Sequence, residues 1–299
     1  MVKYDNPKLT MALPSPFGDE AGRKTLKAKK WNRLIYLFLS LFAIPTLFPL
    51  VWMFYTSLKT NQEITMDLFA LPQALHWENY LYAWQTAKIG VYFGNSMVVT
   101  FGAIVFTVFI SASAAFILAK FDFRLRRAIY SFFIIGMLIP LQTVLVPLFI
   151  QMRSFNLLNS LWSLILSYTA FSLPISIYIL ESFIKMFPDS ILEVAAIDGA
   201  SIPRIFFTII LPMSRPALAT VVILNFLNNW KEFSFALIFI SRDLKKTLPL
   251  GLYNFLGAYT TNYAGLMAAL TIASLPVLGL YLILQEQVIK GMTAGAVKG

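Results

Sequence analysis

The chain has 299 residues, of which 58% are apolar and 13% charged, with a formal net charge of +10. Soluble domains run at about 45–50% apolar and about 25% charged, so this balance excludes an ordinary globular protein and points to an integral membrane protein. Cysteine is absent and His76 is the single histidine, which excludes disulfide frameworks and the common cysteine or histidine metal sites.

In chain order, residues 1–30 are polar, with Pro7, Pro14 and Pro16, and are expected to form a poorly ordered N-terminal segment. Stretches 34–57, 89–119, 128–152 and 154–180 contain no charged side chain. Each exceeds the ~20 residues a helix needs to cross the hydrocarbon core. A fifth, 216–241, is interrupted only by Lys231 and Glu232, and the uncharged run 247–285 holds a sixth, placed at 263–284. The sequence therefore predicts an all-α integral membrane protein with six transmembrane helices, a membrane domain at 31–285 and a C-terminal tail at 286–299. The first span follows eight basic residues, yet at 24 residues and without a persuasive small-residue cleavage site it is expected to remain as an anchor.

Lysine and arginine set the orientation. With the N-terminus inside, the inner segments carry 17 and the outer segments 6, so both termini are expected to be cytoplasmic. These basic residues are not gathered on one amphipathic or aromatic-interleaved element, so no nucleic-acid partner is expected. Membrane lipid is the expected surroundings.

The longest inner loop between helices, 188–216, interrupts this apolar pattern. Ser190-Ile191-Leu192-Glu193 has the spacing of a capping box, Asp198-Gly199 can end the helix it starts, and Ser201 can cap a second short helix with Pro203 in its first turn and Pro212 near its end. The apolar residues that follow, Ile205, Phe206, Phe207 and Ile209, are expected to be exposed and to need a partner surface or the membrane boundary. On these grounds alone a re-entrant or interfacial loop of any transporter fits equally well.

The residues themselves add a resemblance. Glu193-Val194-Ala195-Ala196, Asp198-Gly199-Ala200, Phe207, Ile210, Leu211-Pro212 and Pro216 resemble the EAA loop of ATP-binding cassette importer permeases, with Val194 where the family pattern has alanine. The C-terminal run Gly291 to Gly299 is similar to the tail of the MalG-type subunit of maltose-class sugar importers, and Asn79-Tyr80, Asn95-Ser96 and Trp230 extend the likeness over most of the chain.

The resemblance implies a type I ABC importer permease fold in a bacterial plasma or inner membrane. It further implies that Glu193, Ala196, Asp198, Gly199, Ala200, Phe207, Leu211 and Pro212 couple the membrane domain to a cytoplasmic ATPase. Implied partners are a second, homologous permease forming a heterodimer, two ABC ATPase subunits and an extracytoplasmic sugar-binding protein. The chain itself has no Gly-Lys dipeptide and hence no phosphate loop, so ATP and Mg belong to the partner ATPase and no cofactor is expected here. The chain is not expected to be an enzyme.

Within the spans, Asn225, Asn228, Asn229 and Glu232 recur at i, i+3, i+4 and i+7, a polar stripe on an apolar helix. The stripe reads either as a lining of the substrate pathway or as interhelical hydrogen bonding. Trp230 reads as a sugar-stacking ring or an interfacial anchor, and Tyr168 and Tyr178 as pathway or packing residues. Ala264, Gly265, Ala268 and Ala269 read as close-packing positions in the sixth span. The expected cargo is a neutral sugar. A polyol or glycerol phosphate is the alternative within the family, and an ion-coupled secondary transporter using Glu232 is the alternative outside it.

Overall fold

A computed structural model describes the backbone of residues 18–255 and 262–296 and the side chains of 35–255 and 262–283. Residues 1–17 and the end of the tail at 297–299 lie outside the described residues, as do the side chains behind the tail resemblance. The described residues are helical, with no strand among them. The chain divides into two compact units, Met1–Trp52 and Met53–Gly299.

Helix α1, Gly18–Thr56, contains Pro45 and Pro49. In the first unit the Thr46 hydroxyl donates to the Phe42 carbonyl (2.8 Å), the back-bond a threonine makes to the preceding turn of a helix.

In the second unit the elements are α2 (Asn61–Met66), α3 (Glu78–Leu81, continued by a wide π turn to Thr86), α4 (Ile89–Lys120), α5 (Arg126–Gly136), α6 (Leu141–Ser154) and α7 (Leu161–Ile184). The loop elements α8 (Ser190–Ile197), α9 (Ile202–Ile205) and α10 (Leu211–Met213) follow, then α11 (Arg215–Trp230), α12 (Ser234–Phe239), α13 (Leu248–Leu252) and α14 (Tyr263–Ala296). Among the described residues four helical segments are long and apolar enough to cross a membrane, and six if two bent pairs each count as one span.

Two predicted spans are not continuous rods. The run 128–152 breaks between α5 and α6, whose axes meet at 102°. Pro140, in extended conformation at the start of α6, drives the residue before it away from helix. The run 216–241 breaks after Trp230, and the chain passes through residues 231–233 before α12 begins.

The largest helix contact joins α4 to α7, and its composition explains how. Ser96, Val99, Ala103, Thr107, Ser111 and Ala115 recur at every third or fourth position of α4 and are all buried. Lipid tails are as apolar as leucine, so helices in a membrane gain by close backbone approach, which small residues permit. At Gly102 the approach is close enough that a Cβ would lie 3.1 Å from Ile165. Thr169 on α7 donates to the Ile165 carbonyl (2.8 Å) and reaches the Ala103 carbonyl (3.4 Å).

Helix α14 packs through Ala264, Ala268 and Ala269, each 1% exposed or less, as their spacing predicts. Its first turn is closed by two asparagines: Gly265 N–H donates to Asn262 Oδ1 (2.9 Å) and Ala264 N–H to Asn61 Oδ1 (3.0 Å).

The loops at the end opposite α8 are tied by side chains. Lys59, 1% exposed, spends its ammonium on the Asp67 and Ala70 carbonyls (2.7 and 2.9 Å). Asn79 donates to the Ser57 and Lys59 carbonyls, and Asn95 to those of Leu244 and Lys246. The Ser96 hydroxyl takes the Leu248 N–H (2.8 Å). His76 is partly buried and bonded to Glu78 at 2.5 Å. Asp243 is held by Lys88 (2.7 Å), by the Tyr92 hydroxyl (2.9 Å) and more loosely by Lys246 (3.3 Å). The Lys88 bond above all brings its carboxyl down to about 2.

Two predictions follow from this packing. Ala103→Leu overfills the α4–α7 contact and should lower stability by about 1–3 kcal/mol, read as a lower thermal midpoint in nanodiscs, whereas Val105→Leu on the exposed face should leave it unchanged. Because the Asp243 pKa is depressed, its stabilisation is fully present above the ordinary value of 3.8 and lost as pH falls through about 2. The thermal midpoint of the parent chain should therefore exceed that of Asp243→Asn by a constant margin from neutral pH to about 4, and the margin should shrink below that.

Candidate functional site

The loop after α7 is built on the ends of two long helices. Lys120, the last residue of α4, donates from a nearly buried side chain to the Phe187 carbonyl (2.5 Å) and to Asp189 Oδ1 (2.6 Å). This contact displaces the expected capping box. Asp189 takes the N-cap position, Ser190 becomes the first helical residue of α8, and no side chain bonds the helix start. The carboxylate adjoining the helix serves the α4 lysine instead, and Glu193 is left exposed.

Helix α8 ends as its sequence predicts. Gly199 has φ +75°, Ala200 N–H donates to the Ala195 carbonyl (2.9 Å) and Gly199 N–H to that of Ala196 (3.0 Å). These two bonds form a Schellman motif, which turns the chain sharply and satisfies two carbonyls at the helix end. Space around a Gly199 Cβ is open, so the glycine is needed for its conformation alone.

Ser201 then stands at the N-cap of α9 in extended conformation but without a side-chain bond, and Pro203 falls in the first turn as expected. The helix widens to a π turn at Phe206–Ile210 before α10. Pro212 lies just beyond, where its ring would press on a carbonyl one turn back and it has no N–H to donate. At Ser214 the path bends by 76° into α11.

One side of this loop is core. Ala195, Ile205, Phe206 and Ile210 are buried with Phe116 of α4 and Leu180 of α7, and the Phe116 and Phe206 rings stack at 5.7 Å. Ile205 and Phe206 are therefore not the exposed residues their sequence position suggests, because α4 and α7 supply the partner surface. Ile209 is half-buried, and of the four only Phe207 stays open, at 52%.

The other side carries Glu193, Ala196, Asp198 and Gly199, all exposed, beside Val194, Ile197 and Ile202. Ala200, Leu211 and Pro212 are half-buried and join the two sides. Neither Glu193 nor Asp198 has an ion-pair partner among the described residues. The geometry is a short rigid projection with an acidic and apolar outer face.

The polar residues of α11 divide in a way the spacing does not show. Asn225, 1% exposed, donates to Ser176 Oγ (2.9 Å), which donates to the Ser172 carbonyl (2.7 Å). Asn229 is also buried, with its amide nitrogen unbonded among the described residues, whereas Asn228 is exposed.

Glu232 lies past the end of the helix, so the four do not form one continuous stripe. Its carboxylate accepts from the Tyr168 hydroxyl (2.7 Å) and from the Phe235 N–H that opens α12 (2.8 Å). Trp230 is buried, stacked on Phe226 at 5.6 Å, with its indole N–H on the Ala273 carbonyl (3.0 Å). Tyr178 is 46% exposed. The Lys120 clasp and the Ser176 acceptor were not singled out from sequence. The i, i+4 pairing of Ser172 with Ser176 was the one signal available for the second. Among the described residues no cluster of His, Cys, Asp or Glu could hold a metal.

The overall fold is shared with a solved structure. The chain superposes on a subunit of a bacterial ABC transporter involved in the import of the acidic polysaccharide alginate with a TM-score of 0.77, covering 87% of this chain and 97% of that one at 19% identity. The fold is thus that of a subunit of this transporter. Residues 108–294 match the family of binding-protein-dependent transport system inner membrane components, and the chain belongs to that family.

Similar chains include the diacetylchitobiose uptake system permease protein NgcG of Streptomyces coelicolor, 35% identical and covering 89% of each chain. Another is the sulfoquinovosyl glycerol transport system permease protein SmoH of Agrobacterium fabrum, 37% identical over 89% of this chain and 94% of that one.

The Schellman corner gives a direct test. Gly199→Ala should destabilise the chain by about 1–2 kcal/mol because its φ is positive, and Gly199→Asn by less, since asparagine tolerates this conformation. Thermal midpoints of the two variants measured side by side decide it, and equal midpoints would remove the conformational explanation.

Proposed function

We propose that this chain is one permease subunit of an ATP-driven importer that carries a sugar or oligosaccharide delivered by an extracytoplasmic binding protein. On this reading the six spans of residues 31–285 lie in the plasma membrane with both termini cytoplasmic. A second permease completes the pathway, and two ATPase subunits bind ATP and Mg.

The observation that carries the reading is the loop between α7 and α11. Its inner side is fused to α4 and α7 through Phe206, Ile205 and the Lys120 clasp, while Glu193, Asp198 and Phe207 face out. A projection of this kind suits docking into a cleft of another protein. Displacement of it would be transmitted to α11, which begins a few residues beyond Pro212. Alternating access then follows from the different affinities of ATP and the loaded binding protein for the two states.

Family members are named for cargoes as different as diacetylchitobiose and sulfoquinovosyl glycerol, which supports carbohydrate as the class. Of the α11 residues, Asn228 and, on α7, Tyr178 have side chains free to meet cargo, and an amide suits sugar hydroxyls because it both donates and accepts. Asn225, Asn229, Trp230, Tyr168 and Glu232 would set the shape of the pathway from behind. Glu232 is tied to Tyr168 and to the backbone of α12, an environment that fits a structural anchor better than the ion site of a secondary transporter.

The deciding experiment is reconstitution with the cognate ATPase, second permease and binding protein. Sugar uptake should require ATP, and Glu193→Arg, an exposed charge reversal with no intrachain ion pair to break, should lower uptake at least tenfold while the chain stays folded. Uptake by the chain alone under a proton or sodium gradient would overturn the reading.

A further inference from the structure

The seam between α5 and α7, on the side of the unit that carries α8, borders two separate cavities. The first, of about 610 Å³, is polar and lined by Arg124, Arg126, Arg127, Tyr130, Glu181 and Lys185. Two of its cations are already answered. Lys185 pairs with Glu181, which is 2% exposed, and lies 5.5 Å over the Tyr130 ring, and Arg126 pairs with Asp122. Arg124 and Arg127 are exposed and have no ion pair among the described residues. The cavity therefore keeps an uncompensated positive charge and donors suited to an oxyanion.

The second cavity, of about 380 Å³, is apolar. It lies between Phe132 and Gly136 of α5, Val144 of α6 and Phe171 and Pro174 of α7. Its middle is about six residues further along α5, and about eleven residues back along α7, from that of the first, or roughly 9 to 16 Å. That separation matches the step from the headgroup layer to the hydrocarbon of a bilayer leaflet. A Cβ on Gly136 would come to 3.4 Å from the Pro174 ring, so a larger side chain at this position would intrude on the groove.

We propose that this seam binds one anionic phospholipid, with its phosphate at Arg124 and Arg127 and an acyl chain in the groove beside Gly136. A free phosphate shares the headgroup chemistry but leaves the apolar groove without a role. Basic pockets between transmembrane helices on the cytoplasmic side suit anionic headgroups of the inner leaflet. The proposal rests on the orientation in the proposed function, which puts residues 120–127, between the second and third spans, on the cytoplasmic side. A lipid lodged here would brace α5 against α7, the helix that leads directly into the loop.

The full chain, purified with whatever subunits accompany it and placed in nanodiscs of phosphatidylcholine with a minor share of phosphatidylglycerol, provides the test by native mass spectrometry of retained lipid. The parent should retain phosphatidylglycerol over phosphatidylcholine, Arg124→Gln/Arg127→Gln should lose that preference at least fivefold, and Gly136→Leu should lose it too. Both arginines are exposed, so the double variant keeps the fold even if Gly136→Leu does not.

Retention unchanged in the arginine variant overturns the proposal. So does a variant set in which inorganic phosphate competes for the arginines and Gly136→Leu has no effect, which would assign the cavity to a soluble phosphate. Retention is read without ATP or sugar, so failure of the importer reading leaves it intact. Labelling of Leu125→Cys, a single thiol in a chain that has none, from one side of the membrane tests the orientation separately.

Discussion

The close approach of α4 and α7 is the constraint on which the rest depends. In a membrane the solvent does not press apolar faces together, so helices hold by packing and by the few hydrogen bonds that close contact allows. The serine, threonine and alanine face of α4 supplies that closeness. Once α7 is fixed, its own side chains locate the remaining elements. Ser176 receives Asn225 of α11, Tyr168 receives Glu232 at the break before α12, and Leu180 with Ile184 forms the floor for Phe206 and Ile210. A single helix thus organises both the polar interior and the base of the loop.

That dependence gives the loop its mechanical character. A flexible connector between two helices would absorb a push, whereas this one is fastened at several points. Lys120 clamps its entrance, the Phe116–Phe206 stack holds its middle, and the Schellman bonds fix the corner at Gly199. The remaining compliance lies at the π turn and at the 76° bend at Ser214. On the proposed reading these are where a rigid displacement becomes rotation of α11, since a bend can change angle without breaking the packed contacts on either side.

Uncharged runs made four of the spans legible, because their lengths meet the thickness of the bilayer and little else produces them. Gly199 was legible for the same kind of reason: only one backbone conformation there ends the helix and turns the chain. What could not be read was whatever a distant partner decides. The capping box at Ser190 fails because Lys120, 70 positions away, claims Asp189 for itself. Ile205 and Phe206 looked exposed because a loop of short helices has no visible core until α4 and α7 are brought beneath it. The interruption at Pro140 was a proline signal, but its size of 102° depends on how α5 and α6 each pack on α7 and α12. Asn79, Asn95 and Ser96, which carried part of the family likeness, prove to be loop clamps.

On the proposed reading, the division of polar residues along α11 bears on what the pathway can recognise. A buried amide costs free energy unless its donors and acceptors are met within the protein, and once met they are no longer available to a ligand. Asn225 is committed to Ser176, Glu232 to Tyr168 and Phe235, and Trp230 to Ala273 and Phe226. A pathway backed by side chains already occupied in this way, with Asn228 and Tyr178 left open and the Asn229 amide nitrogen unbonded among the described residues, offers few specific contacts of its own. Discrimination among sugars would then fall to the partner permease or to the binding protein, and this chain's contribution would be the shape of the passage and its response to the loop. That division of labour is compatible with one fold serving relatives named for diacetylchitobiose and for sulfoquinovosyl glycerol alike.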